Sequence, residues 1–210
     1  MSKYVILIII IAIIAFVVIS VKMCKGPDMS EFDDLLTPKI SDQPTQKMLV
    51  VETKGDPAKT SGEAIKILYK AFYSLEGVPK GKKMAAPRAR WPRGLDTPKD
   101  EWLGIFALPI PDEVQAIPEV KNPKQYHLYI IEWEYGFVGE ILHKGPYDKE
   151  EESIKKLTDY IAREGYQIIG DHEEEYLRGP GMFGKGNPEN YLTLIRYRLT
   201  KKEEGFNENY

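Results

Sequence analysis

The chain has 210 residues, room for one domain of ordinary size and an appendage. Its formal charge of −3 provides no basic footprint for phosphates, so no nucleic-acid partner is expected. Cys24 is the single cysteine, which excludes an intramolecular disulfide and any zinc site built from CxxC pairs.

The first element is the run "YVILIIIIAIIAFVVISV", residues 4–21. It carries no charge, and only Tyr4 and Ser20 have polar side-chain atoms. A helix rising about 1.5 Å per residue just crosses the hydrocarbon layer over that length. No small-residue cleavage site follows in "SVKMCKGP", and Lys22 and Met23 stand where a lipoprotein signal would place small residues. The expectation is a retained transmembrane anchor over residues 1–25, a single-pass membrane location and the lipid bilayer as partner of residues 4–21. Lys3 on one side nearly balances Lys22 and Lys25 on the other, which leaves the side of the soluble part open.

Residues 26–47 read as a polar linker with Pro27, Pro38 and Pro44. The folded domain is expected over residues 48–200, and residues 201–210 as a disordered tail. Inside the domain a faint repeat recurs: "KGDPAKTSGEAIKIL" from Lys54 and "KGPYDKEEESIKKL" from Lys144. Each runs into a helical pattern that stops at a glycine, Gly77 or Gly165. Thr60 with Glu63 reads as a capping box for the first helix, whose apolar face is Ile65, Leu68, Phe72 and Leu75. Asp148 with Glu151 starts the second, whose face is Ile154, Leu157 and Ile161.

Strand patterns flank both helices. They are "MLVVET", the segment around "APRARWP", "EWLGIFALPI", "YHLYIIEWEYGFVGEIL" with a bulge or change of partner at Gly136, "YQIIGDHEEEYL" and "YLTLIRYRL". The order is strand, helix, strand, strand, twice over. The expected class is α+β: a tandem βαββ repeat forming one antiparallel sheet, with two helices on one face and a cleft between the halves.

The densest polar stretch is "DHEEEYLRGPGMFGKG", residues 171–186. On a strand, successive side chains point to opposite faces, so His172, Glu174 and Tyr176 share one face and Asp171, Glu173 and Glu175 the other. The second trio reads as a solvated acidic face. No other Cys/His spacing completes a metal site, and His127 and His143 stand isolated, so neither a metal nor a cofactor is expected. Gly179, Gly181 and Gly184 match G-x-G-x-x-G, but another strand follows where a dinucleotide fold needs a helix, so they read as a hairpin connection. Glu174 beside Tyr176 on an inward face is either a buried hydrogen-bonded pair or a pocket acid. Trp133, Tyr135 and Phe137 form an aromatic stripe; Trp91, Trp102 and Phe106 come from the first half.

"LHKGPYDKEEESIKKL", then "EEYL", then a closing strand, resembles the gyrase-inhibitor-like (GyrI-like) small-molecule-binding domain. The resemblance rests on Gly145, Pro146 and Tyr147 and on Glu174 with Tyr176. It implies a tandem βαββ fold whose cleft glutamate meets cationic ligands in sensor members. It also implies a hydrolytic branch, in which a glutamate and a tyrosine activate water against strained electrophilic rings, and a membrane-anchored branch. Gly55-Asp56-Pro57 departs from the GPY turn, and Arg88, Arg90 and Arg93 would favour an anionic ligand if they faced the cleft. Haem, bound by a related fold, would need His127, His143 or His172.

Three functions follow as expectations. The first is a membrane-tethered module that senses or sequesters an amphipathic or hydrophobic small molecule, with Glu174, Tyr176, Tyr147, Trp133, Trp91 and Trp102 as ligand-binding residues. The second is a hydrolase in the same cleft, using Glu174, Tyr176 and Tyr147. The third is a membrane-anchored adaptor with a protein partner.

Overall fold

The structure, a computed structural model, describes residues 30–79, 85–92, 97–117, 119–122, 126–180 and 186–202. Among these no helix is long and apolar enough to cross a membrane. The expected span, residues 4–21, and the tail beyond Lys202 lie outside the described residues.

In chain order the elements are β1 (Lys39–Gln43), β2 (Gln46–Lys54), α1 (Pro57–Tyr73), β3 (Arg88–Trp91) and β4 (Leu103–Pro109). They continue with β5 (Leu128–Trp133), β6 (Gly136–Lys144), α2 (Glu151–Arg163), β7 (Tyr166–Ile168), β8 (His172–Arg178) and β9 (Leu192–Lys201). All strand pairs are antiparallel, in the order β1-β6-β9-β8-β3-β4-β2-β5, with β7 on β9. The repeat is β2-α1-β3-β4 followed by β6-α2-β8-β9, and β3 against β8 joins the halves. The fold is therefore the α+β tandem expected from the pattern.

Two glycines mark equivalent points. Gly55 (φ 112°) and Gly145 (φ 141°) end the first strand of each repeat, β2 and β6, in backbone that other residues rarely adopt. Gly55 N–H donates to the Trp102 carbonyl at 2.8 Å, and Gly145 N–H to the Tyr191 carbonyl at 3.1 Å. Both helices lie on one face of the sheet. Leu49 and Val51 of β2 pack beneath α1, and the register carries that face through Phe106, Ala89, Glu174 and Ile195 to Ile141 beneath α2. Helix α2 sits close to the sheet: a Cβ on Gly139 would lie 2.8 Å from Ile161 Cδ1.

Helix starts differ from the expected boxes. Asp56 caps α1, accepting from Ala58 N–H at 3.1 Å with Pro57 as the first helical residue, while Thr60 lies in the first turn and donates to the Asp56 carbonyl. Ahead of α2, a 3-10 turn (Tyr147–Lys149) leads to Glu150 at the cap position, whose side chain caps nothing.

Within the segment expected to be a linker, residues 26–47, the described part from Ser30 carries structure. A 3-10 helix (Ser30–Leu36) precedes β1, which pairs with β6. Its backbone bonds to an edge, and its polar side chains gave no apolar pattern. The pairing has one register throughout: Gln43 faces Gly136, and three residues on, Gln46 faces Trp133. So β1–β2 and β5–β6 run as one paired ribbon that joins the two edges and curls the sheet. The stripe of Trp133, Tyr135 and Phe137 is split. Trp133 and Tyr135 bury together with Val138, whereas Phe137 packs on Tyr166, because the alternation slips by one residue across Gly136 (φ 60°).

Candidate functional site

Strand β8 divides its side chains as alternation requires, but both faces are occupied. On the face away from the helices, Glu173 is 3 % exposed. It accepts from Arg90 at 2.8 Å, Arg196 at 2.6 Å and the Tyr135 hydroxyl at 2.9 Å. Arg196 also holds Glu140 at 2.7 Å and Glu175 at 3.3 Å, and Arg88 pairs with Glu175 at 3.1 Å. Burial alone would push the Glu173 carboxyl up; Arg196, Arg90 and Arg88 outweigh it and hold it below the usual carboxylate range. The expected solvated acidic face is thus a buried ion network at Glu173 and Glu175, because arginines of β3 and β9 lie directly across the sheet. Arg88 and Arg90 are committed there and do not face Glu174; Arg93 lies outside the described residues. Trp133 belongs to this side too, with the Arg90 guanidinium 3.7 Å over its ring. An open cavity of about 250 Å³ adjoins the network, lined in part by Arg90, Tyr135, Gly170, Arg196 and Arg198.

The other face, between the helices, gathers the remaining chemistry. Ala89 of β3 sits opposite Glu174, and Trp91 opposite His172. The His172 imidazole reaches Tyr197 Oη through Nδ1 at 2.8 Å and Glu174 Oε1 through Nε2 at 3.0 Å. Glu150, from the cap of α2, completes a group: a ligand atom from each of Glu150, His172 and Glu174 lies within 4.8 Å of the others. Tyrosines surround them. The Tyr147 ring lies 5.6 Å from Tyr176 and 5.3 Å from Tyr191, centroid to centroid. Tyr147 is 40 % exposed and stands at the rim.

Electrostatics follow from this crowding. Burial, then the neighbouring Glu174 carboxylate, push the Glu150 carboxyl up to about 8. Burial, then Glu174, raise Tyr176 well above the phenol range. Burial, then Glu174 and Glu150, push Tyr197 up to about 12. Three buried polar atoms on this face lack a well-formed hydrogen bond: Glu150 Oε1, Thr193 Oγ1 and Trp91 Nε1.

Of the residues singled out in the sequence, Glu174, Tyr176 and Tyr147 come together. Trp91 borders them through His172, and Trp102 packs edge-on to Trp91 at 5.5 Å while its indole N–H donates to the Thr97 carbonyl at 2.7 Å. Trp133 does not join them. His143 is held on both ring nitrogens, by Ser153 and the Pro146 carbonyl, and His127 stacks on Tyr129, so neither belongs to the group. Glu150 escaped the sequence reading. Its only signal was its place as the first of three acids in "KEEES" at a helix start, where the neighbouring acids suggested capping. Residues 181–185, with Gly181 and Gly184, lie outside the described residues.

No family model matches the chain, and no curated protein does. The fold recurs among solved structures. A hydrolase from Listeria innocua is similar with a TM-score of 0.64 and 21% identity, over 86% of this chain and 96% of that one. An uncharacterized conserved protein from Listeria innocua is similar with a TM-score of 0.64 and 22% identity, over 82% and 97%. The EcmrR C-terminal domain is similar with a TM-score of 0.55 and 15% identity, over 79% and 98%. At these identities the likeness is one of fold.

Proposed function

We propose that the cleft between α1 and α2 binds an amphipathic small molecule, as a GyrI-like domain does, with Glu174 as the polar anchor and Tyr147 and Tyr176 as walls. Trp91 and Trp102 form the first-half border, and Trp133 has no part. The observation that supports this reading is the placement of Glu174 beside Tyr176, Tyr147 and Tyr197, with the small Ala89 across the sheet, an acid set among aromatic rings. Titration of the chain with hydrophobic cations should give a saturable change in tryptophan emission, and Glu174→Gln should weaken binding about 10-fold or more. A wild-type chain silent across such a panel would remove the reading.

A second reading is hydrolysis in the same cleft. It is supported by two carboxylates and an imidazole that converge, and by a similar structure that is itself a hydrolase. Glu174 would act as general base on water, with Tyr176 and Tyr147 holding the substrate. Turnover of a strained electrophile that vanishes in Glu174→Gln would favour it; turnover that survives would exclude Glu174 as base.

Tethering by residues 4–21 belongs to the same proposal, on the strength of their uncharged, apolar run. Alkaline carbonate should leave the full chain in the membrane pellet and release a chain lacking residues 1–25.

A further inference from the structure

We infer that Glu150, His172 and Glu174 form a binding site for a divalent transition-metal cation, zinc being the first candidate. Two elements deliver the three ligands to one point: the cap of α2 gives Glu150, and β8 gives its first residue, His172, and the residue two further along the same face, Glu174. One nitrogen and two carboxylates make a borderline donor set, which suits zinc or manganese better than magnesium.

Two features beyond the acidic cluster point to a ligand. Glu150 is 6 % exposed and Thr193 0 %, and although the Thr193 hydroxyl lies beside the Glu150 carboxyl and favours its ionised form, neither Oε1 nor Oγ1 makes a well-aligned hydrogen bond. A buried carboxylate oxygen met only by a poorly aligned hydroxyl is costly, and a cation is the partner that an acid beside a second acid would take. The imidazole is also prepared. Nδ1 is engaged by the Tyr197 hydroxyl at 2.8 Å, leaving Nε2 directed at the carboxylates. That is the outer hydrogen bond that orients a metal-bound histidine.

The spacing suits coordination after small adjustment. A tetrahedral zinc with bonds of about 2.0–2.2 Å separates its ligand atoms by roughly 3.3–3.6 Å. His172 Nε2 and Glu174 Oε1 stand 3.0 Å apart, and the Glu150 oxygen lies within 4.8 Å of both. A shift of about 1 Å in the Glu150 side chain closes the gap. The His172 and Glu174 side chains keep 9% and 13% exposure, so an ion has a path in. Three protein ligands leave a fourth position open on the cleft.

The inference does not depend on organic-ligand binding, because zinc alone is the probe. The full chain, with Cys24→Ser to remove the thiol and in detergent for the apolar segment, is titrated calorimetrically with zinc chloride against a magnesium control. Expected is one zinc per chain, a raised melting temperature, and at least 10-fold weaker binding in both Glu150→Gln and His172→Gln. Tyr197→Phe should weaken zinc about 10-fold through the imidazole it orients. X-ray absorption of the zinc-loaded wild type should show one imidazole among nitrogen and oxygen ligands and no sulfur, a readout that needs no variant to fold. Absence of saturable zinc binding, equal binding by magnesium, binding undiminished in both variants, or a spectrum without imidazole would each overturn it.

Discussion

Adjacent residues of β8 meet opposite fates because the strand alternates. Glu173 faces arginines and is held ionised, so its contribution follows the sign of a depressed acid. The stability is present above the unfolded value near 4.5 and is lost as pH falls through the lower folded value. Arg196 ties the network together, and Arg196→Met would leave Glu140, Glu173 and Glu175 facing one another. Breaking such a buried set typically costs about 3–5 kcal/mol. Urea unfolding at pH 7 should show that loss, and the deficit should shrink toward pH 4 as the carboxyls protonate and stop repelling. A deficit that grows in acid would mean that Arg196 acts by packing rather than by charge. The division of β8 was readable from alternation alone. What occupied the far face was not, since arginines on β3 and β9 come from 83 and 23 residues away.

At the scale of elements, α2 depends on the missing side chain of Gly139. An alanine there would press on Ile161 Cδ1 and Cγ1 at 2.8 and 2.9 Å, and overpacking of this kind costs about 1–3 kcal/mol. Gly139→Ala should lower the midpoint of chemical unfolding by that amount, and Ile161→Val added to it should recover part of the loss. If the two losses simply add, the contact is not what limits the helix. Helix α1 is tuned by Asp56, and Asp56→Ala should cost about 1 kcal/mol in the same assay. The apolar faces of both helices were legible because period 3.6 is local. Glu150 was not legible as a site residue, because its role depends on β8 lying beside the start of α2. Strand β1 was missed because Lys39–Gln43 is polar and gains its order from the edge of β6.

Over the whole molecule, the continuous ribbon determines how the sheet closes. A chain beginning at Gln46 would lack β1 and bare the outer edge of β6, inviting edge-to-edge association. Such a chain should melt earlier than one beginning at Ser30 and elute in larger species on size exclusion. Equal melting and monomeric elution of both would show that β1 is dispensable. The tandem order was visible in the recurring Lys-Gly and Ile-Lys-x-Leu spacing. The ribbon was not, because neither Pro44 nor Gly136 reveals that two strands continue past them in one register.

Strand β1 belongs to the first half but pairs only with the second, and β5 belongs to the second but pairs with the first. Each half therefore lends its leading strand to the other, as in a domain swap folded within a single chain. A cut in the connection between Ile110 and Leu128 would leave two fragments, each with an unfilled edge and a strand with nowhere to pair. Expressed together they should find one another and restore the cleft; expressed alone, neither should hold it.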